Sequence, residues 1–218
     1  MPKRFDLLVF DWDGTLMDSA AAIVASIQAA SRDLGMNEPD DASARHIIGL
    51  GLNEAMAALF PDLPESEYDR LTDRYRHHFL GQDADIPLFS GADEAIRELH
   101  EAGFLLAVAT GKSRRGLDRA LSHTSLAPFF HVTRCADESF SKPHPQMLLT
   151  IMEQMGASPD KTLMIGDTSH DLQMAVNAGV PSLAAGYGAH PFESLASFAP
   201  LACAGSFAEL RQWLRENA

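Results

Sequence analysis

The stretch FDLLVFDWDGTLMDS, residues 5–19, decides how the rest of the chain is read. Leu7-Leu8-Val9-Phe10 is an unbroken apolar run, the pattern of a strand buried on both faces of a parallel sheet. The run stops on Asp11, Asp13 follows two residues later, and Gly14 and Thr15 come next. A buried strand that delivers two carboxylates at its end puts like charges where they repel. What relieves that repulsion is the question the rest of the chain must answer.

Similar apolar runs recur downstream. They are 104–109 (FLLAVA), 130–133, 162–165 (TLMI) and 180–184 (VPSLA), and most end at Gly, Asp or Thr. Between them lie apolar stripes at helical spacing: Ala92, Ala95, Ile96 and Leu99; Met147, Leu148, Ile151, Met152 and Met155; Leu172, Ala175 and Val176; Phe207, Leu210 and Leu214. The methionine-rich stripe reads as helix core rather than a ligand set. Strands alternating with helices predict an α/β fold, a Rossmann-like three-layer core with a parallel sheet covered on both faces.

One interval breaks the alternation. From Leu16 to Asp85 no strand pattern is found. Asp18 or Ser19 is placed to cap a helix carrying Ile23, Ile27, Ala30 and Leu34, and helical stretches follow near 53–60 and 65–80, punctuated by Pro39, Pro61 and Pro64. Residues 82–90 have linker character. The expected organisation is a core of residues 1–15 and 86–218 with a small helical cap, residues 16–85, inserted after the first strand. Removing the insert leaves an ordinary βαβ unit.

The chain has 218 residues, 46% of them apolar, and a formal net charge of −13. Such a surface argues against a nucleic-acid partner and repels anions at long range, so an anionic substrate needs local cations. Cys135 and Cys203 form no disulfide framework or CxxC pair, and the early apolar run is too short for a signal peptide. No stretch approaches a membrane span. The expectation is a cytoplasmic protein without membrane or nucleic-acid partners.

In open parallel sheets, ligands bind beyond the carboxyl ends of the strands. The strand ends here carry Asp11 and Asp13; Thr110, Gly111 and Lys112; Ser141-Lys142-Pro143 after the third; and Gly166 and Asp167, with Asp171 four residues on. Four carboxylates in a small volume call for a hard divalent cation with oxygen ligands, and Mg²⁺ fits best. With Lys142 they make a local pocket suited to a phosphoryl group. Asp11 is the candidate in-line nucleophile, and Asp13 the acid that protonates the leaving oxygen and later the base for water. Gly14 turns the backbone, so that successive N–H groups there, Thr15 included, can cup the phosphate. The Thr110 hydroxyl and Gly111 N–H hold another oxygen.

DWDGT, VATGK, the lysine of SKPHP, and GDTSHD, in this order, resemble the motifs of the haloacid-dehalogenase superfamily, in its phosphoglycolate-phosphatase-like branch with a helical cap. The resemblance spans residues 5 to about 190. It implies that Asp11 is the nucleophile and Asp13 the acid/base. It implies Mg²⁺ held by Asp11, the Asp13 backbone carbonyl and Asp167. Thr110 and Lys142 would bind the transferring group, and Asp171 would orient Lys142 or a metal-bound water. Gly186-Tyr187-Gly188 matches a loop after the fifth strand of related phosphatases. The implied activity is Mg²⁺-dependent hydrolysis of a small phosphorylated metabolite, with phosphoglycolate the first candidate and pyrophosphate another.

Rival chemistries within the superfamily separate by residue. Asp13 argues against a dehalogenase, which needs no acid for a halide. Residues 16–88 contain no lysine, which excludes a Schiff-base phosphonatase. A phosphohexose mutase and a catalytically silent binding or regulatory module stay open.

Several residues read more plainly. Asp171 as an early helical residue also suits a helix dipole. Lys112, Arg114 and Arg115 could attract a substrate carboxylate, and read first as a solvated helix start. Gly49-Leu50-Gly51 reads as a cap loop approaching the site, with Arg45 the candidate cap contact. His77 and His78 read as solvated, and no role is evident for His144 or His170.

Overall fold

The computed structural model describes residues 3–218. The run after Phe5 folds as β1 (Leu7–Phe10), and five more strands join it: β2 (Leu105–Thr110), β3 (Val132–Cys135), β4 (Thr162–Gly166), β5 (Ser182–Ala185) and β6 (Cys203–Ala204). The sheet order is β3-β2-β1-β4-β5-β6 and every pairing is parallel. β1 lies at the centre, with Leu7–Phe10 in register with Leu105–Val108 on one side and Thr162–Ile165 on the other.

The alternation along β1 builds both cores. Leu8, Phe10 and Trp12 enter one cluster with Leu106, Val108, Leu163 and Ile165. It is covered by α5 (Ala92–Glu101), α6 (Arg114–Thr124) and α10 (Phe207–Asn217). Leu7 and Val9 enter the other with Ala107, Ala109 and Met164, beneath α7 (Gln146–Met155) and α8 (Ser169–Ala178). Trp12 continues the period of two past the strand and is fully buried, edge-on to Phe130 at 6.3 Å. Burying a side chain of this size contributes about 2–3 kcal/mol, which anchors the turn between the two carboxylates.

Between β1 and α5 lie α1 (Ala20–Asp33), α2 (Asp41–His46), α3 (Leu52–Leu59) and α4 (Glu65–Leu80), followed by a 3₁₀ turn at Asp83–Asp85. Their apolar faces form a separate cluster, with Ile23, Ile27, Ala30, Ile47, Met56, Leu71 and Phe79 buried together. The two crossings between this insert and the sheet pair with each other. Asp18 N–H donates to the Pro87 carbonyl and Phe89 N–H to that of Leu16, both at 2.9 Å.

Sequence and structure differ at a few points. Ser19 occupies the N-cap position of α1 but makes no capping bond; its hydroxyl donates to Asp13 Oδ1 at 2.7 Å instead. α2 has no counterpart in the periodicity because six residues are too few to show one. α9 (Phe192–Ala196) and β6 are shorter still. Among the described residues no helix is long and apolar enough to cross a membrane.

Candidate active site

The chain winds outward in both directions from β1, so the crevice beyond its carboxyl end is the topological switch point of the sheet. Asp11 follows β1 directly, Thr110 ends β2, and Asp167 follows β4. Lys142 arrives from the loop between β3 and α7 with its side chain wholly buried. Its Nζ stands 2.8 Å from Asp11 Oδ1 and 2.6 Å from Asp171 Oδ1.

Asp11 N–H donates to the Ile165 carbonyl at 2.8 Å, which fixes the carboxylate to the sheet edge. Its Oδ2 is buried without a hydrogen-bond partner. Burial pushes the Asp11 carboxyl up to about 7; Lys142 opposes the shift, while the Asp171 and Asp13 charges add to it. Asp167 is also raised, first by burial and then by Asp11 and Asp171. Burial alone would lower Lys142, but the two carboxylates against it outweigh that and hold it as an ammonium.

Oxygens of Asp11, Asp167 and Asp171 lie within 4.8 Å of one another, all buried. Three carboxylates against one ammonium leave an excess of two negative charges, that of one divalent cation. The unpartnered Asp11 Oδ2, the raised carboxyls and the all-oxygen donor set fit a hard cation such as Mg²⁺. Asp171 has the least free valence. Its Oδ1 faces Lys142, and its Oδ2 accepts from the Thr168 hydroxyl at 2.7 Å and N–H at 3.1 Å, closing a capping box at the start of α8.

Asp167 is held by the Thr15 hydroxyl on Oδ1 (2.7 Å) and the Ala189 N–H on Oδ2 (2.8 Å). Gly14, at φ +79°, and Gly188 both pass so close to it that a Cβ on either would overlap its carboxylate. Thr15 therefore positions Asp167. Tyr187 fastens the Gly186–Gly188 loop by donating its hydroxyl to the Thr15 carbonyl at 2.9 Å.

Asp13 Oδ1 accepts from Ser19 and pairs with Lys112 Nζ at 3.0 Å. Lys112 is thus no solvated helix start: its side chain is 10% exposed, and Nζ also lies 4.8 Å from the Phe79 ring centroid on α4. Arg114 pairs with Glu138 at 2.7 Å, and Arg115 is exposed at the rim.

A cavity of 680 Å³ separates the sheet edge from the helical insert. Asp11, Asp13, Gly111 and Lys112 form its floor; Ile23, Ile47, Met56, Tyr75 and Phe79 are among its walls. The Gly49–Gly51 loop reaches this floor as expected. A Cβ on Gly111 would overlap the Gly49 and Leu50 carbonyls, and Gly51 N–H donates to Ser141 Oγ at 2.9 Å. Arg45 is half-buried at the end of α2 and does not line the cavity; residues just after it do.

The sequence reading missed a histidine cluster behind this loop. His170 Nε2 and His190 Nε2 both meet the His46 carbonyl, at 2.8 and 3.1 Å, and the His46 and His190 rings stack 5.2 Å apart. No local pattern signals it, since the three residues come from separate segments. His77 and His78 lie outside the site, His78 against Asp33.

The haloacid dehalogenase-like hydrolase family model matches residues 8–185. A probable phosphatase, IndB, of Dickeya dadantii is 34% identical over 210 residues, covering 94% of this chain and 91% of that protein. A phosphoglycolate phosphatase of Agrobacterium fabrum is 30% identical over 188 residues, covering 84% and 81%. A solved hydrolase from Pseudomonas syringae superposes with a TM-score of 0.88 at 22% identity, covering 97% and 98%, a likeness of fold. With the sheet, the carboxylates at its switch point and this match agreeing, the chain belongs to the haloacid dehalogenase-like hydrolase family.

Proposed function

We propose that the protein is a Mg²⁺-dependent phosphatase acting on a small phosphorylated metabolite through a phospho-aspartate at Asp11. The observation that carries this is the pairing of an orphaned, buried Asp11 oxygen with a site short of two positive charges. A nucleophile held in that state is ready for an electrophile that arrives with a cation. Relatives named as phosphatases support the reading.

Asp11, the Asp13 backbone carbonyl and Asp167 would hold the metal, with Asp171 orienting Lys142. When bound, Mg²⁺ neutralises phosphoryl oxygens and keeps Asp11 ionised. Asp11 attacks phosphorus in line while Asp13 donates a proton to the leaving oxygen. Asp13 then takes a proton from the water that hydrolyses the acyl phosphate. Thr110, the Gly111 N–H, the Gly14–Thr15 backbone and Lys142 bind the transferring group. Helices α1–α4 act as a cap whose closure excludes water during attack. Phosphoglycolate is the first substrate to test, supported by the named relative.

The test is release of phosphate from an aryl phosphate with Mg²⁺ and with chelator, for wild type and Asp11→Asn. Metal-dependent release that Asp11→Asn abolishes while its circular dichroism stays unchanged is the expected result. Equal release by the variant removes Asp11 as nucleophile, and no release by wild type favours a binding module.

A further inference from the structure

Lys112 is more constrained than phosphoryl transfer requires. Its N–H donates to Thr110 Oγ1 at 3.2 Å and its carbonyl accepts from Ala136 N–H at 3.0 Å, so the backbone is fixed on both sides. The side chain lies between sheet and cap, against Asp13 on one side and the Phe79 ring on the other. An ammonium offers three N–H donors. Asp13 Oδ1 takes one and already accepts from Ser19, and a ring face substitutes only weakly for a carboxylate.

The other cations of the cavity are placed differently. Arg76 pairs with Asp73 at 2.9 Å, Arg119 with Asp83 at 3.2 Å, and Arg115 is exposed on α6. Of the cavity acids other than Asp11 and Asp13, Asp73 is matched by Arg76, Asp137 accepts the Arg114 N–H at 2.9 Å, and Glu54 on α3 lies beside Gly51. Lys112 is the cavity cation paired with Asp13, the group placed to meet the leaving oxygen.

We propose that Lys112 is a specificity-determining residue that binds a negative charge on the leaving group: a carboxylate or second phosphate one or two bonds beyond the ester oxygen. This deepens the phosphatase reading above and rests on it. An ammonium 3.0 Å from Asp13 is within reach of such a group whenever Asp13 is within reach of the leaving oxygen. Phe79 belongs to the cap, so closure lays an apolar ring against the ammonium and strengthens its hold on an anion. The chain's net charge of −13 repels a doubly anionic substrate at long range, so its capture needs local cations of this kind.

The test is calorimetric binding in Mg²⁺ to the Asp11→Asn protein, which binds without turnover, alone and combined with Lys112→Met or Lys112→Arg. The probes are 2-phosphoglycolate, pyrophosphate and ethyl phosphate, the last with a neutral leaving group of similar size. At least one anionic probe is expected to bind about 10- to 100-fold tighter than ethyl phosphate. Which one does so separates carboxylate from phosphate as the group recognised. Lys112→Met should bring the ratio close to one, and Lys112→Arg should keep most of it. Only the ratio is read, because a general disturbance of Asp13 weakens all probes alike. A parent ratio near one, or one that survives Lys112→Met, overturns the proposal. If the ratio behaves as expected while wild type hydrolyses no ester, the anion site stands and the phosphatase reading falls.

Discussion

Lys142 Nζ stands 2.8 Å from Asp11 Oδ1 with both side chains buried, and the same ammonium reaches Asp171 at 2.6 Å. Removing the cation leaves carboxylates in the interior with no compensating charge. Lys142→Met is therefore expected to lose about 3–5 kcal/mol of stability and all turnover. Adding Asp171→Asn should restore part of the stability but no activity. Urea unfolding in chelator measures this, and a midpoint equal to wild type would refute the shared-cation account.

The raised carboxyls give a pH dependence with a definite sign. Burial lifts Asp11 from its ordinary 3.8 to about 7, and Asp167 moves the same way. Between these limits the folded chain without metal holds protons that the unfolded chain has released. Stability of the chelated protein thus falls as pH rises through that window. Mg²⁺ needs the ionised carboxylates, so the rise in Tm it confers should be small near about pH 5 and grow to a plateau above about pH 7. Thermal unfolding with Mg²⁺ and with chelator across this range tests it; a pH-independent Mg²⁺ shift contradicts the assignment.

What the sequence disclosed follows from how far each signal reaches along the chain. Asp11, Thr110 and Asp167 were legible because each ends a run whose period of two or continuous apolarity marks a strand, and parallel strands bring their ends to one rim. Lys142 was legible only beside them. The environment of Lys112 was not, because its partners Asp13 and Phe79 belong to distant segments and no local pattern encodes that meeting. Ser19 carried a local signal for a cap, but its backbone is helical rather than extended and its hydroxyl turns to donate to Asp13. α6 had a usable signal in Ser113, which accepts from Gly116 N–H, followed by Leu117, Ala120 and Leu121. β6, two residues long, had none.

The histidine cluster joins the end of α2 to the sheet domain. His190 Nδ1 accepts the Ser169 N–H at 3.0 Å, so its hydrogen sits on Nε2 and points at the His46 carbonyl. Burial, reinforced by the neighbouring His170 and His46, lowers His190 to about 4, which keeps this tautomer neutral near pH 7. His190→Ala removes a donor and leaves the Ser169 N–H without its acceptor, at a cost of about 1–3 kcal/mol. Amide exchange should quicken over residues 41–50 and stay unchanged in β1 and β4. Equal protection in the variant would show that other contacts hold the loop.

Gly111 gives the sharpest separation of activity from stability. A Cβ there overlaps the Gly49 and Leu50 carbonyls, which are backbone atoms of the 49–51 loop and cannot rotate away. Gly111→Ala is expected to push this loop off the floor of the site, lowering kcat/KM about 10- to 100-fold because closure no longer aligns the reacting groups. The sheet cores lie elsewhere, so the unfolding midpoint should change little. Gly35 is the counterpart: nothing lies within 4 Å of its added Cβ, but its φ of +67° strains any side chain. Gly35→Ala should cost about 1–2 kcal/mol and leave kcat/KM unchanged. Steady-state kinetics and urea unfolding on both variants decide it. If Gly111→Ala keeps full activity, the loop's contact with Gly111 plays no part in closure.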